Sequence, residues 1–589
     1  LCTEVYTGES VLHILGVHDG HNSSAALLED GKTTWAIQEE RMVNRKNEPG
    51  LPYKAIEHIV RNTAEDLDKV VLATNFIHEA DWYRKQDFWE KGKKDYYLNK
   101  VTWPFKKRFS SYFVNRLRDR KRELGKWLAH LGMPGWDETN IQSVEHHLAH
   151  AASAYYGGGF TPDEEVVIFT ADGSGDGLSA TVSWGDGLAG EIRRWSQSTR
   201  DESIGEIYSL TTYYLGFRPW EHEYKLMGMA PYSRVDEGIL RGLNKLIYVD
   251  KGRFNTTMSA DFAYEYLKKL YYRKRFDTIC ATIQFWFEEM MTRWIKSSLE
   301  EFLPSGYGPV KIACAGGDYM NVKANMSIAA MEEVKDIFIT PSAGDESTSI
   351  GAAMEVYADY CWQHGENPLR KITPFGPLYL GPQADPLLIE ESLKNQETGH
   401  WQVHVEDNVE KYVAELLEED KIVARCSGRC EFGARALGNR TIMANSQNQD
   451  NITELNARIK HRDFWMPFTP SVMYEERLRL VDNPKNIEAN YMIMAFNSLP
   501  DGQRELKAAM HPYDLTIRPQ QVRREWNPSY WETLRQWHRV SGCGGFLNTS
   551  FNLHGFPIVK DSRLALHTMK YSGLEYLIVD DHVVQKIGD

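Results

Sequence analysis

The chain has little that would tie it to a membrane, a nucleic acid or an oxidising compartment. No apolar run approaches the roughly 20 residues needed to cross a bilayer, so no membrane span is expected. The start, LCTEVYTGESVLHILGV, has neither a basic region nor a long apolar core, and a signal peptide is not expected there. Basic residues are in the minority. The 68 Lys and Arg against 82 Asp and Glu leave a formal net charge of −14, which argues against a general nucleic-acid or anionic-membrane surface. The nearest thing to a basic patch lies between Lys91 and Lys126, and its interspersed acids and helical spacing read as a solvated helix face. Cysteine is sparse and odd in number, seven in 589 residues, and Cys426 and Cys430 complete no CxxC-type zinc pattern. Reduced thiols in a cytoplasmic protein are the simplest account. With 42% hydrophobic and 25% charged residues and no low-complexity tract, the chain reads as folded and long enough for two or more domains.

What is present is a repeated grammar. VLHILGVHDGHNSSAALLEDG (11–31) and EVVIFTADGSGDGLSATVSWGDG (165–187) are each an apolar strand, a polar Gly turn, a second strand and an Asp-Gly turn. A strand–turn–strand unit used twice is how duplicated actin/hexokinase-type nucleotide folds begin each half, with the turn's backbone N–H groups facing phosphates. Two unrelated hairpins are the alternative. PVKIACAGGDYMNVKANMSIAA (309–330) and DIFITPSAGDESTSIGAAMEVYADY (336–360) then read as strand, Gly turn and helix, where a helix N-terminus favours anions. The Pro- and Gly-rich stretch RKITPFGPLYLGPQADPLL (370–388) breaks the helical period. It divides an N-terminal α/β domain, 1–375, from a differently composed α/β domain, 376–589.

The stretch VEHHLAHAASAYYGGG places His146 and His150 four apart on a predicted helix. That spacing puts both imidazoles on one face, as in HExxH zinc sites, but no Glu lies between them and a metallopeptidase is excluded. Asp172 and Asp345 both follow predicted strands, where an α/β cleft opens. The N/O set of His146, His150, Asp172 and Asp345 suits Fe(II), Zn or Mn better than Ca, with Asp176 in reserve. Taken singly, each Asp reads as a turn or helix cap. His21, in the first polar turn, could take a proton from a hydroxyl. In the second domain, Arg429, Arg435, Arg440, Lys460, Arg462, Arg518, Arg523 and Arg524 recur in Gly- and Pro-bounded loops, as in KHRDFWMPFTP and HPYDLTIRPQQVRR. Cations converging from loops suggest a small-anion pocket.

Ten ordered motifs, HNSSAALLEDG, QEERMVNRK, VEHHLAHAASAYY, YKLMGMAPY, GGDYMNVKAN, GDESTSIGAA, FGARALGNR, KHRDFWMPFTPSV, RPQQVRR and FLNTSFNLHGFPIV, make nearly the whole chain resemble the O-carbamoyltransferases of nodulation-factor, cephalosporin, aminoglycoside and ansamycin biosynthesis. The resemblance implies an N-terminal actin/hexokinase-like domain of the tRNA threonylcarbamoyl-transfer type and a YrdC-like C-terminal domain. The latter would form carbamoyl-adenylate from carbamoyl phosphate and Mg–ATP. The former would transfer the carbamoyl group to a hydroxyl of a small-molecule natural product. It further implies a divalent metal, iron foremost, on His146, His150, Asp172 and Asp345. Gly173, Gly316, Gly317 and Asn321 would meet the nucleotide, and His21 would be the base. Arg429, Arg435, Arg440, Lys460, Arg462, Arg518 and Asn548 would meet carbamoyl phosphate and ATP. Lys46 and Lys225 match motif lysines open to acceptor or phosphate contacts. HNSS stands where HDSS is commoner, so Asn22 bears on how His21 is oriented. Segments 80–130 and 196–224 are expected to line the acceptor pocket. A homodimer is one option, and the acceptor is left open. The competing readings are an actin-fold kinase or ATPase, which would leave the histidine pair unused, and a nucleotide-binding scaffold.

Overall fold

A computed structural model describes residues 11–63, 66–75, 110–389 and 401–587. The first sheet contains β1 (His13–His18), β2 (Ser24–Glu29), β3 (Lys32–Gln38), β4 (Lys69–Leu72) and β5 (Gln142–Ser143), in the order β3-β2-β1-β4-β5. β1 and β2 are almost wholly buried, which is why ILGV and AALL read as continuous apolar runs rather than alternating ones. Asp30 and Gly31 join β2 to β3 with φ of 44° and 78°, the two-residue turn that matches strand twist.

The second sheet repeats that plan. It contains β6 (Val166–Gly175), β7 (Leu178–Asp186), β8 (Glu191–Thr199), β11 (Val310–Ala315) and β12 (Val334–Ile339), in the order β12-β11-β6-β7-β8, with a separate hairpin of β9 (Ile247–Asp250) and β10 (Arg253–Thr256) intervening in sequence. In each sheet the first three strands run antiparallel as a meander, and the later two join parallel on the other side of the first. The duplication expected from strand–turn grammar is therefore a property of the fold.

Two helices, His146–Gly157 and Thr348–Gln363, pack on each other between the sheets. Their small residues let them approach closely: a Cβ at Gly351 would lie 1.8 Å from the Ala149 carbonyl oxygen. Glu145 caps the first of these helices by accepting from His147 and Leu148 N–H.

The C-terminal region forms an eight-stranded mixed sheet, ordered β13-β22-β21-β14-β15-β20-β16-β19. Its strands are β13 (Trp401–Val405), β14 (Val423–Cys426), β15 (Arg440–Ala444), β16 (Thr469–Met473), β19 (Gln520–Val522), β20 (Gly545–Ser550), β21 (Tyr576–Val579) and β22 (His582–Lys586); β17 (Phe496–Asn497) and β18 (Thr516–Ile517) pair apart from it. The apolar cores cross residue 375. Leu378, Phe432 and Leu437 belong to the cluster of Ala149 and Ile350, and Val472, Ile487 and Phe496 to that of Trp286 and Trp294.

The six described cysteines are buried and unpaired. Among the described residues no helix is long and apolar enough to cross a membrane. The 110–130 helix is described, whereas most of the basic stretch and acceptor-segment expectation before it lies outside the described residues.

Candidate active site

His146 and His150 sit one turn apart at the start of their helix, their rings 4.7 Å apart. Asp172 reaches them because the β6–β7 register shifts between Ala171 and Gly175, a bulge that turns the strand's side chains. Gly175 lies over the His146 ring, where a Cβ would be 1.9 Å from it. Asp345 opens the turn that leads into the Thr348–Gln363 helix. Asp172 Oδ2 is 3.1 Å from His146 Nε2 and 3.5 Å from His150 Nε2; Asp345 Oδ1 is 3.5 and 3.6 Å from the same two nitrogens. One ligand atom from each of the four lies within 4.8 Å of the others.

The residues fit a divalent ion on two grounds. Two imidazoles and two carboxylates form a borderline N/O donor set. In fully buried His150, Nε2 faces only the two carboxylates, at 3.5 and 3.6 Å, and Nδ1 has no hydrogen-bond partner, a costly arrangement unless something else satisfies the ring. Burial alone would raise the Asp172 carboxyl, but the His146 and His150 imidazoles outweigh it and hold it well below the usual carboxylate range. Burial likewise opposes charge on His146, yet Asp345 and Asp172 raise it to about 10. Asp176 has other work. Its carboxylate accepts from the His146 and Asn75 backbone N–H groups and the Thr74 hydroxyl, so it organises the ligand helix rather than joining the donor set.

A cavity of about 470 Å³ opens beside this cluster, lined by Asp172, Gly173 and Asp345. His21, Lys46, Gly317 and Asn321 also line it, and Arg435 lines it from the C-terminal region together with Ser550, Asn552 and Phe556. Of segment 196–224, Arg200, Glu206, Trp220 and Tyr224 are among its lining residues. Burial holds the His21 imidazole down to about 4 against the pull of Asp172, which keeps the ring neutral near pH 7. Gly316 stands behind the cavity wall, packed so tightly on Ala171 that a Cβ would come within 2.1 Å of its carbonyl oxygen. Asn321 caps the Val322–Ala330 helix and pairs with Gln284.

The sequence-derived cations separate into two groups. Arg435, Arg462 and Arg518 converge: burial lowers all three, and Arg435 adds to the lowering of Arg462, to about 10, while Arg435 and Arg462 add to that of Arg518. None has a carboxylate ion-pair partner among the described residues, and Arg518 Nε is buried without a hydrogen bond. Half-buried guanidiniums without a carboxylate partner are suited to receive an anion. Buried Lys460, its ammonium pushed well down by burial, grips Ser550 and Asn552 and so shapes the cavity rim.

The others are held by protein partners. Arg440 gives its guanidinium to the carbonyls of Ser427, Asn439, Pro382, Gly428 and Lys560. Arg429 binds the carbonyls of Thr34, Leu380 and Gly381 and stacks 4.0 Å over Trp35. Asn548 is fully buried and spent on Ala436, Ser471, Gln520 and Thr441. Lys225 pairs with Asp463 at 3.0 Å, away from the cavity lining. Arg523 pairs with Glu488 and Glu525.

A carbamoyltransferase N-terminus family model matches residues 13–354, and a carbamoyltransferase C-terminus model matches residues 414–586. The chain belongs to the carbamoyltransferase family. It is 29% identical to the uncharacterized protein sll1178 of Synechocystis sp., covering 98% of this chain and 97% of that one. It is 27% identical to nodulation protein NolNO of Sinorhizobium fredii, covering 96% and 79%. Among solved structures, T. kodakarensis HypF covers 62% of this chain and 49% of its own at 11% identity and a TM-score of 0.31, too low for any argument. This carbamoyltransferase is accordingly an enzyme of carbamoyl transfer.

Sequence reasoning passed over two contributors. His18 Nε2 lies 3.8 Å from Asp345 and 3.0 Å from the His21 carbonyl oxygen, tying the metal-ligand set to the base-bearing turn. Glu431 accepts from the N–H groups of Leu437, Asn439 and Arg440, which closes the loop that presents Arg435. His18 had a signal, its place beside His21; Glu431 had none, because any buried carboxyl can serve a loop.

Proposed function

We propose that this carbamoyltransferase works in two stages that share one cavity. The observation that carries the reading is the cavity's double lining: Asp172, Asp345 and His21 on one side, and Arg435 with the Lys460-gripped Ser550–Asn552 loop on the other. On the cationic side, Arg435, Arg462 and Arg518 bind the phosphates of carbamoyl phosphate and of ATP with Mg²⁺. Carbamoyl phosphate with one water releases phosphate and carbamate. The carbamate oxygen then attacks the α-phosphorus of ATP, forming carbamoyl-adenylate as pyrophosphate leaves. Both carbamate and its adenylate decompose in water, so a shared interior is a chemical need.

On the other side the acceptor hydroxyl attacks the carbamoyl carbon, His21 takes the hydroxyl proton, and AMP leaves with the C–O bond electrons. His146, His150, Asp172 and Asp345 would hold a divalent ion, iron first and zinc or manganese as alternatives. Such an ion supplies positive charge near the adenylate phosphate when bound. Gly173, Gly317 and Asn321 border the nucleotide, with Gly316 shaping their turn. Residues 1–375 would be the actin/hexokinase-like transfer domain and 376–589 the YrdC-like adenylate-forming domain. The acceptor is a small-molecule alcohol, and the setting cytoplasmic.

The test is mass spectrometry after incubation with ATP, Mg²⁺ and carbamoyl phosphate but no acceptor. Carbamoyl-AMP with equal phosphate and pyrophosphate is expected. ADP with phosphate would instead mark a kinase or ATPase, and no turnover a scaffold.

A further inference from the structure

We infer that Gln38 and Arg41 are positioning residues for the anion pocket: they clamp the backbone of Gly433 and thereby set where Arg435 lies. This role rests on the reading of Arg435 as a phosphate ligand. The clamp crosses the molecule. Gln38 ends β3 and Arg41 lies in the helix Glu39–Val43, whereas Arg435 belongs to the part matched by the C-terminus model.

The Arg435 side chain makes no hydrogen bond or ion pair with the described residues, so its placement is inherited from the backbone of loop 432–439. That backbone has a glycine on either side of the arginine, Gly433 with φ of 97° and Gly438 with φ of 111°. Glycine enters such conformations readily and holds none of them by itself, so the loop depends on what grips it. Gly438 is gripped from within the C-terminal region. Its carbonyl accepts from Arg425 Nε at 3.0 Å, and a Cβ there would lie 2.5 Å from the Tyr530 ring. Glu431 secures the N–H groups of Leu437, Asn439 and Arg440 alongside.

Gly433 is gripped from the N-terminal side. Its N–H donates to Gln38 Oε1 at 3.1 Å, and its carbonyl accepts from Arg41 Nη2, which also donates to Gln38 Oε1 at 3.3 Å. A Cβ at Gly433 would come within 2.7 Å of Ser342 Oγ, so the loop is seated against the turn before Asp345 as well. Gln38 and Arg41 are both buried. Both polar groups of the Gly433 backbone thus depend on these two side chains, and a buried one left unpaired is costly. β3 runs along the same seam, its Thr34 carbonyl accepting from Arg429 and its Ala36 N–H donating to the Leu380 carbonyl at 3.2 Å. Those contacts join the two regions at an edge strand, whereas the Gln38–Arg41 clamp acts on the loop that carries Arg435. Arg41 also borders the cavity and its Nε has no hydrogen bond, so a direct anion contact is the rival role. Gln38, which carries no charge, separates the two.

The test is a double-mutant cycle read by calorimetric titration of the full chain with inorganic pyrophosphate. Gln38→Leu removes the acceptor oxygen without changing charge. It should weaken pyrophosphate binding about tenfold when Arg435 is present, the scale of misplacing one binding group. On an Arg435→Ala background the same change should cost less than about twofold, because the residue it acts through is gone. Arg41→Met in the same cycle should show the same dependence on Arg435, and Arg41→Lys, which keeps a donor for the Gly433 carbonyl, should lose less than Arg41→Met. Equal losses with and without Arg435 would mark a direct contact or general destabilisation and overturn the positioning role. Unchanged affinity in Gln38→Leu and Arg41→Met would overturn it too. Absence of pyrophosphate binding by the wild type would sink the anion-pocket reading and this role with it, an outcome distinct from either.

Discussion

The two copies of the strand–turn–strand unit carry the same Asp-Gly pair, Asp19-Gly20 after β1 and Asp172-Gly173 within the end of β6, yet the two carboxylates have diverged. Asp19 is buried against Arg120 Nε at 2.9 Å. Asp172 faces two imidazoles and the cavity. A guanidinium is always charged and its pairing with a carboxylate is a permanent structural joint. An imidazole can give up its proton to a metal. The partner delivered to a turn carboxylate, an arginine in one copy and a histidine pair in the other, decides whether the turn is structural or chemical.

The largest expected effects fall on the chemical copy. His21→Ala should lower carbamoyl transfer on the order of 10²–10⁴-fold, the usual worth of a general base, while carbamoyl-AMP still forms without acceptor. Product quantitation by mass spectrometry separates the two, and loss of both would remove His21 from the base role. Asp172→Asn should release the metal, measured by elemental analysis, and lower transfer at least about a hundredfold. Asp19→Asn should retain the metal, and equal metal loss in the two variants would break the comparison.

Smaller effects sharpen it. Arg518→Ala should reduce carbamoyl-AMP formation about ten- to a hundredfold, the loss of a charge-assisted phosphate contact, and normal pyrophosphate release would contradict it. Arg120→Ala leaves Asp19 buried and unpaired, which should cost about 3 kcal/mol of stability, read in a denaturant titration, with metal content unchanged. The pH response is the mildest. His21 is held at about 4, below its ordinary value of about 6.5. The unfolded chain therefore binds the extra proton first, and stability from this group is complete above about pH 6.5 and lost as pH falls toward 4. A melting series from pH 7.5 to 4.5 should decline, less steeply in His21→Ala.

Much of this was legible in the sequence, for identifiable reasons. Helical spacing brought His146 and His150 together, and strand-end placement brought Asp172 and Asp345 to them. The duplicated sheets followed from apolar runs broken at like intervals. Side-chain type could not separate Arg435, Arg462 and Arg518, which leave guanidinium groups uncompensated, from Arg440 and Arg429, which spend theirs on backbone carbonyls. That difference depends on where loops from distant segments cross. Asp176 was indistinguishable from a ligand until its backbone partners were placed. Trp220 falls within the 196–224 segment expected to line the cavity, but nothing in a local sequence announces its left-handed backbone.

In the proposed two-stage reaction, the intermediate made at the guanidinium cluster is consumed in the same cavity without leaving it. Mixing His21→Ala, which forms carbamoyl-AMP, with Arg518→Ala, which keeps the transfer side, tests this most directly once an acceptor is in hand. With a shared interior, the mixture should yield no more carbamate product than the two variants added together. Recovery toward wild-type turnover would show that carbamoyl-AMP escapes into solvent and would contradict a shared interior.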